Sequence, residues 1–420
     1  MPTTTAAIRP IALDLSPIEV AARCRHLRDI AFFDTSLETG AQGEISIVAA
    51  NPRRVIEGRT DADWTALQTA LAAHRRAERC DDGLPHGFAA GFVEYDGAFR
   101  FGFYEDALIH RHADQSWCEL GDLRSQLAEP GPEPCGVRPQ FAPALDRERF
   151  CRMVARAHEY IAAGDIYQVN LSHRFSAPWQ GDPFPLYEAL RHYSPAPHAA
   201  FLQCGGRAIL SASPELFLKM SGRAIRTRPI KGTRPRRADL HADEKSAYDL
   251  ITSPKEIAEL VMITDLERSD LGQVCEFGSV SVAELLKLER FEQVFHLVST
   301  VDGRLRAEVD HIAALRACFP GGSITGTPKR RAREIIAELE PEPRGLYTGA
   351  IGWFGFNGES QFSIAIRTAI VERGCAHFHV GAGIVADSIP EMEWQETLDK
   401  AAGILLAVER QSVVAHAAPA

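Results

Sequence analysis

Between residues 199 and 220 three apolar runs, AAFLQC, AILSAS and ELFLKM, follow one another with only a few residues between them. A parallel partner needs a crossover of a dozen or more residues, so strands this close are placed for antiparallel connection. Further β-like runs occur at IYQVNLSHRF, TGAIGWFGF, QFSIAIRTAIVE and AHFHVGAGIVA, and helical spacing is found near 254–268, 328–339 and 391–408. This mixture predicts an α+β fold rather than a doubly wound parallel sheet.

The first part, 1–126, mixes short strand-like runs (ISIVAA, GFAAGFVEYDG) with the helix-like WTALQTALAAHRRAER. Residues 127–145, LAEPGPEPCGVRPQFAPAL, have the proline content of a linker. A second part, 146–409, opens with Asp146 as a helix cap, and Phe150, Met153, Val154, Ala157, Tyr160 and Ile161 recur at helical spacing before Gly164. Residues 410–420 form a tail.

With 420 residues, 45% of them hydrophobic, the chain can bury a core without staples. Its formal charge of -10 is spread along the sequence, and the only dense basic cluster is the short stretch 228–237. Nucleic acid is therefore not expected as a partner. Nine cysteines occur singly, with no C-x-x-C spacing, which suggests neither a disulfide framework nor a zinc site. No apolar stretch approaches the roughly 20 residues of a membrane helix, and no cationic leader opens the chain. A cytoplasmic protein with no membrane partner is expected.

Two carboxylate pairs stand out. In SPKEIAEL, Ser253 and Pro254 mark a helix start with a capping box, and Glu256 and Glu259 share a face at i, i+3. In PEMEWQETLDK, Glu393 and Glu396 repeat the spacing, with Lys400 one turn beyond. If the two helices face each other, four carboxylates converge and a hard cation such as Mg²⁺ makes that tolerable. Spacing alone leaves open a capping glutamate plus an ordinary Glu396–Lys400 surface pair.

Other stretches offer anion-binding or proton-transfer groups. FPGGSITGTPKRRAREII sets the amides of 322–327 ahead of a helix that starts at Pro328, a favourable place for an anion, without the lysine of a Walker A motif. VGAGIVADS adds Gly381 and Gly383, although a strand ending in small residues explains them as well. Glu215 in SASPELFL precedes an apolar run, where burial would raise its pKa and suit it to donate a proton. His296 opens another apolar run, and Arg367 lies within AIRTAI, as a structural ion-pair partner or as a ligand for a substrate carboxylate.

In order and spacing these segments resemble the chorismate-binding enzymes, a family that includes anthranilate, aminodeoxychorismate, isochorismate and salicylate synthases. The resemblance runs from about Asp146 to Glu409 through GDIYQVNLS, SASPELFL, RPIKGTRPR, KEIAELVMITDLERSDLG, HLVSTVDGRL, FPGGSITGTPK, AIRTAI and GAGIVADSIPEMEWQETLDKA. AFFDTSLETG and ISIVAANP extend it loosely into the first part. It implies two packed β-sheets with outer helices and a cleft between them. It also implies that Glu259 and Glu396 ligate Mg²⁺ directly, that Glu256 and Glu393 hold metal-bound water, and that the metal grips the ring carboxylate of chorismate. Arg367, Tyr347, Gly381 and Gly383 match positions on the enolpyruvyl side, and Lys400, Ser323 and Gly326 match positions near the ring carboxylate. Gly232 and Thr233, which follow Lys231, are implied as substrate-binding residues, and His296 matches a histidine near the reacting carbons. Ser269 stands where relatives usually carry Asn, and Thr327 where Ala is common.

Two positions divide the family. Water-adding members carry a lysine base where YQVNLS has Gln168, and an amide cannot take a proton from water at neutral pH. Lys231, in PIKGT, matches the aminodeoxychorismate synthases, whereas anthranilate synthases read PIAGT. A neutral Lys231 amine would add at C2 of chorismate and expel the C4 hydroxyl, with Glu215 protonating the leaving group and ammonia then entering at C4. The neighbouring arginines are expected to keep that amine uncharged. The implied partners are a glutamine amidotransferase subunit that supplies ammonia, because no G-x-C-x-G turn is found, and a separate aminodeoxychorismate lyase on the way to 4-aminobenzoate and folate. Anthranilate synthase component I and a catalytically idle chorismate-binding subunit are the alternatives.

Overall fold

The computed structural model describes residues 8–37, 44–75, 83–129, 138–291 and 294–414. Residues 130–137 of the proline-rich stretch and 415–420 of the tail lie outside them. The strands form two sheets, of twelve and ten strands among the described residues, and every pairing is antiparallel.

Apolar side chains from the two facing surfaces make one core. Ala31, Ile47, Leu202 and Ile370 come from the larger sheet, and Phe88, Phe92, Ile351 and Trp353 from the smaller. Helices cover the outer faces, as a sheet with two apolar faces requires. Phe184–Tyr193 and Pro390–Val414 pack on the larger sheet through Tyr187, Leu190, Ile404 and Val408. Asp61–His74, Pro254–Gly272 and His311–Cys318 pack on the smaller through Trp64, Leu67, Leu271 and Leu315. Asp146 caps Arg147–Ala162 by accepting from the Arg149 amide at 2.8 Å. Both sheets are shared by strands from 1–126 and from 146–409, which meet at one seam in each: Ile30–Asp34 pairs with His198–Cys204, and Phe88–Val93 with Ala350–Gly355.

Two of the places where the chain passes straight from one sheet into the other lie side by side. Arg207–Ser213 lies in the larger sheet, and after Pro214 and Glu215 the chain continues as Leu216–Ser221 in the smaller. QFSIAIRTAIVE, which reads as one strand, is two. Glu359–Ile364 belongs to the smaller sheet, Thr368–Glu372 to the larger, and Arg367 between them has φ 49°. The crossings are bonded to each other: Ala212 N donates to Arg367 O at 3.0 Å, and Ile364 N to Glu215 O at 3.1 Å. Two residues far apart in sequence, Glu215 and Arg367, are thereby held side by side between the sheets.

Candidate active site

The helices Pro254–Gly272 and Pro390–Val414 bring the two carboxylate pairs to one place, with lysines between them. Lys255 Nζ lies 3.1 Å from Glu393 Oε1 and 4.0 Å from Glu259 Oε1, and Lys231 Nζ lies 3.6 Å from Glu259 Oε2. Lys400 Nζ is 2.7 Å from Glu396 Oε1 and donates to the Gly381 carbonyl at 2.9 Å. The capping box is half made. Ser253 Oγ accepts from Glu256 N at 3.4 Å, but the Glu256 carboxylate faces Arg234 at 3.5 Å. Burial raises the pKa of Glu259, reinforced by Glu256 and Glu396 and opposed by Lys231 and Lys255.

As arranged, no three His, Cys, Asp or Glu side chains among the described residues stand at metal-ligand spacing. The donor set nevertheless suits a hard cation: four carboxylates from two helices, of which buried Glu393 leaves Oε2 without a hydrogen-bond partner. Lysine ammonium groups carry the compensating charge in this arrangement.

Lys231 owes its direction to a bulge. In Ile230–Pro235, Lys231 pairs with Leu297 and Thr233 with His296, so Gly232 is an extra residue, at φ 70°. Side chains two apart on a strand normally share a face, whereas Leu297 and His296 point to opposite faces. The bulge thus sends Thr233 to His296, where Thr233 Oγ1 and His296 Nδ1 lie 2.9 Å apart, and turns Lys231 toward Glu259. A side chain at 232 has no room: a Cβ there would stand 2.6 Å from Leu250 Cδ1.

Gly383 provides the opposite wall. A Cβ at that position would lie 3.3 Å from Lys231 Nζ and 2.8 Å from Gln168 Nε2. Gln168 is fully buried, and neither of its amide atoms has a hydrogen-bond partner among the described residues. The arginines near Lys231 in sequence have carboxylate partners. Arg228 is 2.5 Å from Glu289, Arg234 faces Glu256, and Arg236 is 2.9 Å from Asp243. Each already has a carboxylate of its own.

Glu215 is buried, and desolvation pushes its carboxyl up to about 7. Hydrogen bonds from the Ser323 hydroxyl and the Ile230 amide and the charge of Lys231 oppose that rise, while Glu267 adds to it. Ser323 therefore stands on the carboxyl of Glu215. Of the amides before Pro328, that of Gly322 is taken up inside the fold, donating to Glu267 Oε1 at 3.0 Å. Gly326, at φ 140°, pairs with Val169, and a Cβ there would lie 2.2 Å from the Gln168 carbonyl.

Arg367 makes no ion pair within 4.0 Å among the described residues. His296 is buried, and desolvation together with the charge of Arg367 pushes it down to about 3, so it is a neutral imidazole at ordinary pH. Tyr347 stacks on His379 with centroids 5.3 Å apart, and a Cβ at Gly381 would lie 2.8 Å from its hydroxyl. Ser269 is exposed. Lys255 and Glu267 were not singled out from sequence. The only signal for Glu267 was its place two helical turns beyond Glu259, in the row at i±4 with Ile263 and Leu271.

The family model described as chorismate binding enzyme matches residues 34–406. The chain is 50% identical over 272 residues to anthranilate synthase component 1 of Streptomyces coelicolor, covering 64% of this chain and 53% of that protein. It is 44% identical over 297 residues to aminodeoxychorismate synthase component 1 of Bacillus subtilis, covering 70% and 62%. The chain thus spans between half and two thirds of the length of these relatives. Anthranilate synthase component I from Streptococcus pneumoniae superposes with a TM-score of 0.78 at 31% identity, covering 86% of this chain and 92% of that one. MenF, the menaquinone-specific isochorismate synthase from Escherichia coli, shares the fold with a TM-score of 0.78 at 19% identity. Matched across most of its length by the family model and over 86% of it by a solved relative, the chain belongs to the chorismate binding enzyme family.

Proposed function

We propose that the chain is the aminating component of an aminodeoxychorismate synthase, replacing the C4 hydroxyl of chorismate by an amine while the enolpyruvyl group stays in place. The observation that supports this most is Lys231, whose amine is aimed by the Gly232 bulge into the space bounded by Gly383, Gln168 and Glu259. In this reading the Lys231 nitrogen forms a bond to C2, both ring double bonds shift, to C1=C6 and C4=C5, and the C4–O bond breaks. Glu215, a carboxyl near 7, gives its proton to the departing hydroxyl, which leaves as water. Ammonia then bonds to C4, both double bonds return to C1=C2 and C5=C6, and the C2–N bond to Lys231 breaks; a proton from the incoming nitrogen restores Glu215. Arg367, without an ion pair of its own, suits the carboxylate of the enolpyruvyl group. Neutral His296 and Tyr347 line the same region.

Glu259 and Glu396 would hold Mg²⁺, with Glu256 and Glu393 behind them, and the ion would supply an electron-withdrawing grip on the ring carboxylate. Ammonia would come from a glutamine amidotransferase partner, and the product would pass to a separate lyase.

Anthranilate synthesis is the second reading, favoured by the 50% identity to a relative of that name. Incubation with chorismate, Mg²⁺ and ammonium separates the two. An aminated product that retains its side chain supports C4 amination; stoichiometric pyruvate with a fluorescent aromatic product overturns it. No turnover, even with the glutaminase present, favours an idle subunit.

A further inference from the structure

Behind Glu215 lies a second buried acid that the proposed chemistry does not use. Glu267, on the helix Pro254–Gly272, accepts from the Gly322 amide at 3.0 Å, from Thr227 Oγ1 at 3.3 Å and from the Ser323 amide. Three donors converging on one carboxyl call for an acceptor-only group, which is the ionised form. Burial pushes Glu267 up, and Lys329 and these donors pull against it. Lys329 reaches the same place from the helix Lys329–Leu339, donating to Asp270 at 2.5 Å and to the Cys318 carbonyl at 3.0 Å. Glu267 thus ties together the helix, the strand Ala224–Arg228 and the turn Gly322–Ile324.

The turn has one outward connection that bears on chemistry. It packs against the crossing that carries Glu215, where a Cβ at Gly321 would stand 2.8 Å from Ile364 Cδ1 and the Ile364 amide donates to the Glu215 carbonyl at 3.1 Å; the Ser323 side chain and the charge of Glu267 both act on Glu215. We infer that Glu267 is a positioning residue for the proton donor: its carboxylate fixes the Gly322–Ser323 turn, which holds the Ser323 hydroxyl on Glu215, and it sets a negative charge beside that carboxyl. The inference rests on the reading of Glu215 as the acid. It does not depend on whether the amine enters at C4 or elsewhere on the ring.

The charged and titratable groups around Glu215 are Glu267, Lys231 and Arg367, and those around Glu267 are Lys329, Asp270 and Cys318. An acid must be protonated to act, so kcat/KM for chorismate consumption falls as pH rises through the pKa of Glu215. Glu267→Gln removes a negative neighbour, and the alkaline limb moves to lower pH by about one unit. Ser323→Ala removes a hydrogen bond to the ionised form, and the same limb moves to higher pH. A merely structural role for Glu267 would lower stability and leave the limb where it is.

The test is the pH profile of chorismate consumption by the full chain and the two variants, with ammonium and Mg²⁺. Opposite displacements support the inference. A limb present in the wild type and unmoved in both variants overturns it alone, and a wild-type profile without the limb removes Glu215 as the acid and the inference with it. Should Glu267→Gln not fold, Ser323→Ala decides: a shift upward supports the arrangement, and no shift overturns it.

Discussion

Lys231 Nζ stands 3.6 Å from Glu259 Oε2, so the proposed nucleophile and a proposed metal ligand are neighbours. The amine is held by a carboxylate and by the shape of the bulge, while the nearby arginines are paired elsewhere. Lys231→Ala is therefore expected to bring C4 amination to background and to leave chorismate affinity, measured by equilibrium binding, little changed. Lys231→Arg should not restore turnover, because a guanidinium stays protonated. Amination by either variant at the wild-type rate would exclude covalent participation.

The bulge and the facing glycine separate geometry from stability. Gly232→Ala places a Cβ at φ 70°, 2.6 Å from Leu250 Cδ1, and is expected to destabilise the fold by about 1–2 kcal/mol or more in denaturant titrations. Gly383→Ala has no such backbone strain, but its Cβ would lie 3.3 Å from Lys231 Nζ. It should lose activity far more than stability. Equal losses in the two assays would show that the approach at Gly383 is a packing matter.

Glu215 predicts a conflict between activity and stability. Its folded pKa of about 7 exceeds the unfolded value near 4.3, so the unfolded chain ionises first as pH rises. The resulting penalty is absent below about pH 4, grows through the window between the two pKa values, and is constant above about pH 7. Glu215→Gln should be more stable than the wild type at pH 8, by at most a few kcal/mol, and no more stable at pH 4. Its turnover should fall by about 10²–10⁴-fold. Thermal unfolding at both pH values checks the sign.

Features repeated along the chain were legible in sequence. Helical spacing near 254–268 and 391–408 foretold the helices found as Pro254–Gly272 and Pro390–Val414, short spacings foretold the hairpin of His198–Cys204 with Arg207–Ser213, and the α+β class followed. The two crossings were not legible, because a strand that changes sheets keeps the same composition on both sides. QFSIAIRTAIVE gives no sign that Glu359–Ile364 and Thr368–Glu372 part company at Arg367. In the site, residue types were visible and partners were not. RPIKGTRPR shows arginines beside Lys231, but only the fold reveals that Glu289, Glu256 and Asp243 occupy them. Glu267 and Lys255 were hidden for the same reason: each bonds to segments remote in sequence, Gly322 and Glu393.

Lys255 yields the last prediction. Its ammonium lies 3.1 Å from Glu393 Oε1 and 4.0 Å from Glu259 Oε1, bridging the two helices that would share a divalent ion. Two cations cannot neutralise the same carboxylates equally well, so Lys255 and Mg²⁺ compete. Turnover should be lost in a chelator and restored by Mg²⁺. The half-saturating Mg²⁺ concentration should rise by about 10-fold or more in Glu259→Gln and fall in Lys255→Met. The Lys255→Met variant should also unfold at lower temperature without the metal and gain more from its addition than the wild type does, because the carboxylates then lack their internal counterion. Turnover indifferent to chelation would discard the cation, and a rise in half-saturation for Lys255→Met would make this lysine a partner of the metal-bound state instead of its competitor.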